Sequence, residues 1–298
     1  MELSDKIKAV SNMQKYIDTH YDEEISLEDL SRAAGYSKFH AERIFKELTG
    51  KTPFEVIRAI RLTKAAQTLR DSDDRVIDVA LENGFDSHDG FTRAFTRQFH
   101  LTPQKYSRET PAIQWFVHYP IEAYYALKEG PQLMANNKVS QIVTVSVVER
   151  PARKLIFLRY NATDYFSACE EVGCEWEGFF NSIPEKFDTA AGGRLPQFLT
   201  RPGTGGQAFS VEVPMEYDKP IPEGYEIADL PACTYLYFQG MPFDDQNDFP
   251  IAIGIVNEAV ESYPYAQYGW KRSDNGPVLG MGAEAETGAR TAVPVEKM

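Results

Sequence analysis

One pattern occurs twice in the first third of this chain, at an offset of 50 residues. Residues 31–58 overlay residues 80–108 and place serine on serine, phenylalanine on phenylalanine and Thr-Pro on Thr-Pro. The matched pairs are Ser37 with Ser87, Phe45 with Phe95, Thr52 with Thr102, Pro53 with Pro103 and Arg58 with Arg108. A chain with two copies of a short unit must fold that unit twice, so the repeat limits the architecture from the outset.

Each copy is predicted to form a helix, a tight turn and a second helix. The first helices, SLEDLSRAA and VIDVALEN, end at Gly35 and Gly84, because glycine adopts the left-handed conformation without steric cost. Ser37 and Ser87 then stand where an N-cap opens the second helix. The repeat therefore predicts two helix-turn-helix units.

The two units are predicted to be joined by a helix from Pro53 to about residue 70. Thr52 supplies its N-cap, and Glu55 supplies the acid of a capping box. About 18 helical residues span roughly 27 Å. The distance between successive major grooves is about 34 Å, so one chain could read two half-sites.

The second helices, at 38–49 and 88–100, are predicted to have one buried face and one polar face with an arginine in each copy. In the major groove, arginine recognises guanine, threonine accepts or donates, and a carboxylate accepts from cytosine. These helices are therefore predicted to be recognition helices. Their polar faces consist of Phe39, Glu42, Arg43 and Lys46 in the first copy and Asp89, Thr92, Arg93 and Thr96 in the second.

The pattern VIDVALENGFDSHDGFTRAFTRQFHLTPQKYS resembles the second helix-turn-helix signature of AraC-type transcriptional regulators, and residues 1–110 as a whole resemble their DNA-binding domain. His100 stands where that family usually has glycine. The resemblance implies base-facing positions for Phe39, Glu42, Arg43, His88, Asp89, Thr92 and Arg93, and phosphate contacts for Arg97, Lys38 and Lys46.

A second repeat, with an offset of 80 residues, organises the chain beyond residue 140. RPARKLIFL overlays LPACTYLYF, so that Pro151 falls on Pro231. Strand-like residues precede both prolines, and helical segments near 170–183 and 249–263 precede further strand pairs. The sequence thus predicts a multidomain chain: an all-α double helix-turn-helix domain at 1–110, a linker at 111–140, and an α+β domain of two pseudo-symmetric ββαββ repeats at 141–298.

Strand alternation predicts two faces for this α+β domain. Ile156, Leu158, Leu236 and Phe238 are expected to lie under the helices as core. Leu155, Phe157, Tyr235 and Tyr237 are expected on the other face, where a cleft between the two repeats could take a small aromatic or cationic ligand.

Residues 141–298 resemble gyrase-inhibitor-like (GyrI-like) effector-binding domains, notably in EWEGFFNSIPEKF and IPEGYEIADLPACTYLYFQG. The resemblance implies a ligand held between the repeats on aromatic side chains, often with an acid that binds a cation. Arg290 stands where relatives commonly carry glutamate. The candidates are Trp176, Tyr235 and Tyr237 for the aromatic wall and Glu212, Glu284 and Glu286 for the acid.

Composition favours a cytoplasmic protein without membrane segments. There is no apolar run of 18 residues and no secretion-type start. The three cysteines do not form a disulfide framework. No histidine follows His118, so metal binding is not expected. No cofactor is expected either.

The leading hypothesis is a one-component transcriptional regulator, not an enzyme. Its expected partners are an operator of about 20 bp, a small-molecule effector and RNA polymerase. Two alternatives remain open for the second domain. It could be a hydrolase of reactive small molecules with Glu212 or Glu284 as acid or base. It could also be a sequestering or protein-binding module, since residues 111–298 carry 14 Lys and Arg against 25 Asp and Glu.

Overall fold

The computed structural model describes residues 2–122, 124–125, 139–162, 164–245 and 248–298. The chain divides into two compact units, Met1–Glu129 and Gly130–Met298. The described part of the first unit is helical, whereas the second unit is built on an antiparallel sheet. The predicted order of a helical region followed by an α+β domain is therefore confirmed.

The first unit contains seven helices among its residues up to 110. Each helix-turn-helix copy lies where the repeat predicts it, at α2–α3 and α5–α6, and α4 joins them. The helices are α1 (Leu3–His20), α2 (Leu27–Ala34), α3 (Lys38–Thr49), α4 (Pro53–Asp71), α5 (Val76–Glu82), α6 (His88–Phe99) and α7 (Pro103–Glu109).

Two separate hydrophobic clusters support the two copies. The first cluster includes Leu30, Ile44 and Phe45, and the second includes Phe91 and Phe95. Helix α4 contributes to both, because its first half packs in the first cluster and its second half packs in the second. Thus α4 is structurally shared by the two copies.

Part of the predicted linker packs on the first unit. Ile113 and Trp115 belong to the second cluster, whereas Ile121 belongs to the first. The amide of Phe116 donates to Thr63 Oγ1 on α4 at 2.9 Å. The first unit therefore extends past its predicted limit at residue 110, because these apolar side chains are buried against its helices. Residues 126–138 of the predicted linker lie outside the described part of the chain.

The second unit contains nine strands and three helices among its described residues, with 3-10 turns at Gln197–Leu199 and Tyr265–Tyr268. The strands are β1 (Val143–Arg150), β2 (Arg153–Tyr160), β3 (Ala191–Arg194), β4 (Gln207–Pro214), β5 (Glu226–Leu230), β6 (Cys233–Gly240), β7 (Trp270–Arg272), β8 (Val278–Glu284) and β9 (Gly288–Lys297). The helices are α8 (Tyr165–Val172), α9 (Trp176–Ser182) and α10 (Phe249–Ser262).

All strands belong to one antiparallel sheet in the order β1-β6-β9-β8-β3-β4-β2-β5, and β7 pairs with β9. The first two strands of each half pair with strands of the other half and not with each other: β1 pairs with β6, and β2 pairs with β5. The helical segment predicted near 170–183 is two helices, because Gly173, with φ of 81°, ends α8.

Both sheet faces of the second unit are buried over much of their area. Leu236 and Phe238 pack with Val256 of α10, on the face where helix packing was expected. Leu155 and Phe157, expected to face a cleft, instead form a small buried cluster with Leu195, Ala208 and Leu230. A continuous apolar cleft along this face is therefore not formed at Leu155 and Phe157.

Candidate nucleic-acid interface

The two helix-turn-helix turns have matching backbones. Gly35 and Gly84 have φ of 70° and 71°, which is the left-handed conformation that the sequence predicts. The serines differ, since Ser87 accepts a hydrogen bond from the amide of Gly90 at 3.2 Å, whereas the Ser37 side chain makes no such bond. Both serines nevertheless occupy the N-cap position of the following helix.

Helix α3 presents the face that the sequence predicts for DNA contact. Phe39 is 77% exposed, which is unusual for so large an apolar side chain. Arg43 and Lys46 are exposed, and Glu42 is half-buried. The Arg43 guanidinium donates to Nδ1 of His40 at 3.2 Å, which limits its motion. This face combines a flat apolar ring with two cations.

Lys38, the phosphate candidate at the start of α3, pairs with Glu28 of α2 at 2.5 Å. The hydrogen bond from Lys38 holds the pKa of Glu28 below its usual range. A phosphate contact by Lys38 would therefore compete with this exposed ion pair.

Helix α6 presents the matching face of the second copy. His88, Asp89, Arg93 and Arg97 are exposed. Thr92 differs from its prediction, because it is half-buried and its hydroxyl oxygen is enclosed with no hydrogen-bond partner among the described residues. Thr96 is also half-buried.

The predicted recognition helix at 88–100 is one residue too long. Helix α6 ends at Phe99, and His100 follows as a left-handed C-cap with φ of 60°. The hydrogen bond from the His100 amide to the carbonyl of Thr96 closes the last turn. His100 thus takes the backbone conformation that glycine adopts at the end of α3.

A groove of about 570 Å³ runs between α4 and α6 and is lined by Arg61 and by three other arginines. Arg58 comes from α4, and Arg93 and Arg97 come from α6. Within the described residues, none of these three guanidinium groups has an ion-pair or hydrogen-bond partner. Unpaired cations in a concave surface attract an anion such as a phosphate. Sequence reasoning did not single out Arg58 as a site residue, although its match with Arg108 in the repeat offered a signal.

In the second unit, two of the predicted ligand residues form a buried polar cluster around Arg153. The Arg153 side chain is fully buried and donates from Nε to Glu212 Oε1 at 2.7 Å. Its Nη2 donates to the Tyr235 hydroxyl at 3.0 Å, and that hydroxyl donates to Glu212 Oε1 at 3.0 Å. Burial, and then the Glu212 charge, raise the pKa of Tyr235 well above its usual value. A protein guanidinium therefore lies where a cationic ligand would meet Glu212.

Tyr237 lies in a second, more accessible polar cluster. Its hydroxyl accepts from Arg150 Nη2 at 2.8 Å, and burial raises its pKa to about 12. Asp188 pairs with Arg150 at 3.6 Å and with Arg290 at 3.1 Å. Tyr235 and Tyr237 lie near each other, with ring centroids 6.1 Å apart.

The remaining ligand candidates are dispersed. Trp176 is 4% exposed and stacks on Phe209 with ring centroids 3.9 Å apart, which is the packing of a core side chain. Glu284 and Glu286 are exposed at the end of β8 and in the turn that follows. Partial desolvation, and then the Glu286 charge, raise the pKa of Glu284. Glu284 and Arg290 line a small cavity of about 90 Å³ to which none of the three predicted aromatic residues contributes.

Two kinds of feature are absent from the described ranges. No group of three or more His, Cys, Asp or Glu side chains is placed to hold a metal ion there. None of the helices in those ranges has the length and hydropathy needed to cross a membrane.

Comparison with known proteins places the first unit in a family. A family model described as a helix-turn-helix domain matches residues 30–109. The transcriptional regulator Rob of Salmonella typhimurium is 40% identical over 106 residues, which are 36% of this chain and 37% of Rob. The chain thus spans little more than a third of the length of that relative.

Regulatory protein SoxS of Escherichia coli is 34% identical over 99 residues, which are 33% of this chain and 92% of SoxS. The solved structure of a probable AraC family transcriptional regulator from Rhodopseudomonas palustris has 25% identity and a TM-score of 0.32, and covers 34% of this chain and 94% of that one. The chain belongs to the AraC family of helix-turn-helix transcriptional regulators.

Proposed function

We propose that this chain is a one-component transcriptional regulator that reads double-stranded DNA with α3 and α6 and senses a small molecule with its second unit. The operator is about 20 bp long, with one contact cluster for each helix. Ligand binding changes transcriptional output by favouring one of two states of the protein, which requires different ligand affinities in those states. No catalytic step is part of the proposal.

The observation that carries the proposal is the pair of exposed polar faces on α3 and α6. The same repeat places both faces, and α4 joins the two copies with 19 helical residues, about 28 Å of helix. The unpaired Arg58 and Arg97 suit the phosphate backbone, whereas the unpaired Arg93 suits a base edge in the major groove. The proposed DNA contacts are Phe39, Glu42, Arg43, Lys46, Arg58, His88, Asp89, Thr92, Arg93, Thr96 and Arg97.

Selection of genomic fragments by the purified full-length protein tests the DNA-reading part. The native protein is expected to enrich one asymmetric site with two contact clusters about one helical turn apart. Arg43→Ala and Arg93→Ala are each expected to lose one cluster and to weaken binding by about 1–3 kcal/mol. Arg201→Ala, which removes an exposed arginine of the second unit, is the matched control. Lack of enrichment at every salt concentration would refute sequence-specific reading.

For the second unit we infer a GyrI-like effector-binding domain made of two ββαββ repeats. The 80-residue offset supports this inference, because it overlays β2 on β6 and aligns α9 with the end of α10. The exchanged pairing of β1 with β6 and of β2 with β5 also treats the two halves alike.

The proposed ligand is small and aromatic, and it contacts Tyr237 first because Tyr235 and Trp176 are buried. A cationic ligand would have to displace the Arg153 guanidinium from Glu212, which costs a buried ion pair. Glu284 and Glu286 are exposed and unaffected by that pair, so they remain the acids available to a cation. A cytoplasmic location and contact with RNA polymerase complete the proposal, by analogy with a family of transcriptional regulators.

A thermal-shift screen of neutral, cationic and anionic aromatic compounds against the full-length protein tests ligand sensing. Compounds that stabilise the protein are expected to lose this effect in Tyr237→Ala but to keep it in Tyr268→Ala, which removes a tyrosine that is 63% exposed. A screen in which Tyr237→Ala responds like the native protein would move the ligand away from this cluster.

A further inference from the structure

Arg61 lies on α4 at the junction between the two helix-turn-helix copies. Its neighbour in sequence on one side, Ile60, is buried in the first hydrophobic cluster, and its neighbour on the other side, Leu62, is buried in the second. The Arg61 side chain itself is half-buried. Arg61 therefore lies where α4 stops packing against the first copy and begins to pack against the second.

The Arg61 guanidinium binds backbone carbonyls of the α1–α2 connection, which leads into the first copy, and of the turn in the second copy. Nε donates to the carbonyl of Tyr21 at 2.6 Å, and Nη2 donates to that of Glu23 at 2.5 Å. Both acceptors precede α2 of the first copy. Nη1 donates to the carbonyl of Gly84 at 3.0 Å, in the turn of the second copy. A planar group with several fixed donors can hold these three acceptors at once, whereas a lysine ammonium has one donor centre.

Gly84 allows this approach. A Cβ added at Gly84 would lie 2.8 Å from Cζ of Arg61, so any side chain there would push the guanidinium away. Gly35, the equivalent turn residue of the first copy, has nearly the same φ, but nothing lies within 4 Å of its added Cβ. The two glycines thus share one backbone requirement, and only Gly84 has a second requirement imposed by Arg61.

We propose that Arg61 is a positioning residue that fixes the distance and rotation between the two recognition helices, and so determines which spacing of the two contact clusters the protein accepts. The inference rests on the proposed DNA reading. One added base pair moves the second cluster by about 3.4 Å and rotates it by about 34°. A protein with a rigid junction loses contacts on such a site, whereas a protein with a loose junction can follow it.

The test compares the selected operator with duplexes that carry one or two extra base pairs between the contact clusters. The measured quantity is the ratio of Kd values for the altered and the native spacing, obtained with the full-length chain. Arg61→Met, Arg61→Lys and Gly84→Ala are each expected to lower this ratio by about tenfold, because hydrogen bonds from a charged group are lost or displaced. Binding to a duplex with only one cluster is expected to change much less.

Gly35→Ala is the matched control, since it introduces the same left-handed strain without touching Arg61. It is expected to keep the native spacing ratio. If the Arg61→Met protein does not fold, as judged by circular dichroism, Arg61→Lys and Gly84→Ala still decide the question.

Each outcome has a distinct meaning. A native protein that prefers its own spacing, with variants that keep the full preference, overturns the role of Arg61 and leaves DNA reading intact. Equal loss of preference in Gly35→Ala and Gly84→Ala also overturns it, because strain alone would then explain the effect. A native protein that binds no duplex specifically refutes the proposed function itself.

Discussion

Each unit contains an arginine that joins distant segments of the chain through backbone carbonyls, and the two arginines differ in burial. Arg61 is half-buried and its hydrogen bonds go to neutral carbonyls, while the charges of Asp22 and Asp86 act on it without a direct bond. Arg153 donates from Nη1 to the carbonyls of Pro151 and Pro231, the two prolines that the 80-residue offset overlays, at 3.3 and 2.7 Å. It is fully buried and also pairs with Glu212.

The difference shows how burial changes what a junction arginine needs. Water still reaches Arg61, so hydrogen bonds to neutral carbonyls suffice without a directly bonded carboxylate. A guanidinium removed from water requires a countercharge as well as hydrogen bonds, because the desolvation cost of an unpaired ion is several kcal/mol. Glu212 supplies that countercharge. An arginine thus occupies both positions, but only the buried one is bonded directly to a countercharge.

The largest expected loss of stability follows substitution of the buried Arg153. Arg153→Met leaves the Glu212 carboxylate buried without its main partner and should destabilise the second unit by about 3–5 kcal/mol. Denaturant unfolding of the full-length protein measures the change. Arg201→Met, at an arginine whose side chain is 61% exposed, should cost under about 0.5 kcal/mol. A small cost for Arg153→Met would mean that Arg150 compensates Glu212 alone.

Removing both charges of the Arg153–Glu212 pair should destabilise the second unit less than removing Arg153 alone. In the double variant Arg153→Met with Glu212→Gln, no buried carboxylate is left uncompensated, so part of the loss should return. We expect an interaction energy of about 1–3 kcal/mol between the two substitutions. The measurement is a double-mutant cycle of unfolding free energies. Additive costs would show that the two side chains act independently.

Substitution of the half-buried Arg61 should reduce the free energy of unfolding less than substitution of Arg153. Arg61→Met loses three hydrogen bonds but leaves only neutral carbonyls behind, which water can reach in part. The expected destabilisation of the first unit is about 1–3 kcal/mol, below that of Arg153→Met. Chemical denaturation followed by the helical circular dichroism signal measures it. A cost equal to or above that of Arg153→Met would contradict the role assigned to burial.

The smallest expected change in stability comes from the residues that cap α3 and α6 in the first unit. Gly50 is the C-cap of α3 and His100 is the C-cap of α6, both with left-handed backbones. A residue with a Cβ is strained there, so His100→Gly should stabilise the protein by about 0.5–1 kcal/mol. Thermal unfolding measures the gain, and the reverse change Gly50→His should lower stability by a similar amount. Loss of stability in His100→Gly would indicate that the imidazole makes a compensating contact.

Much of the first unit could be predicted because its signals are local. The turn glycines, the capping residues and the three-to-four spacing of apolar residues act within one or two helical turns. They located α2 to α6 to within one or two residues. Contacts of high sequence separation carry no such signal. Arg61 reaches back 40 residues to Tyr21 and forward 23 residues to Gly84, and the repeat gave no reason to single it out.

The candidate ligand site was harder to predict for the same reason. Strand alternation tells which residues share a face, but it does not tell what covers that face. Leu155 and Phe157 are covered by other apolar side chains, and Tyr235 is covered in part by Arg153. The partner of Glu212 lies 59 residues away on a neighbouring strand, where only the sheet register brings it into contact.

The sequence alone determined that the first unit holds two copies of one repeat and that each copy presents an arginine on an equivalent helix, because caps and helical periodicity depend on neighbouring residues. Tertiary structure alone decided how the copies are held to one another and how each charge is balanced. Arg61 and Arg153 have the same side chain and offer the same donors. Only the folded arrangement of distant carbonyls, carboxylates and water gives one a neutral set of acceptors and the other a buried countercharge.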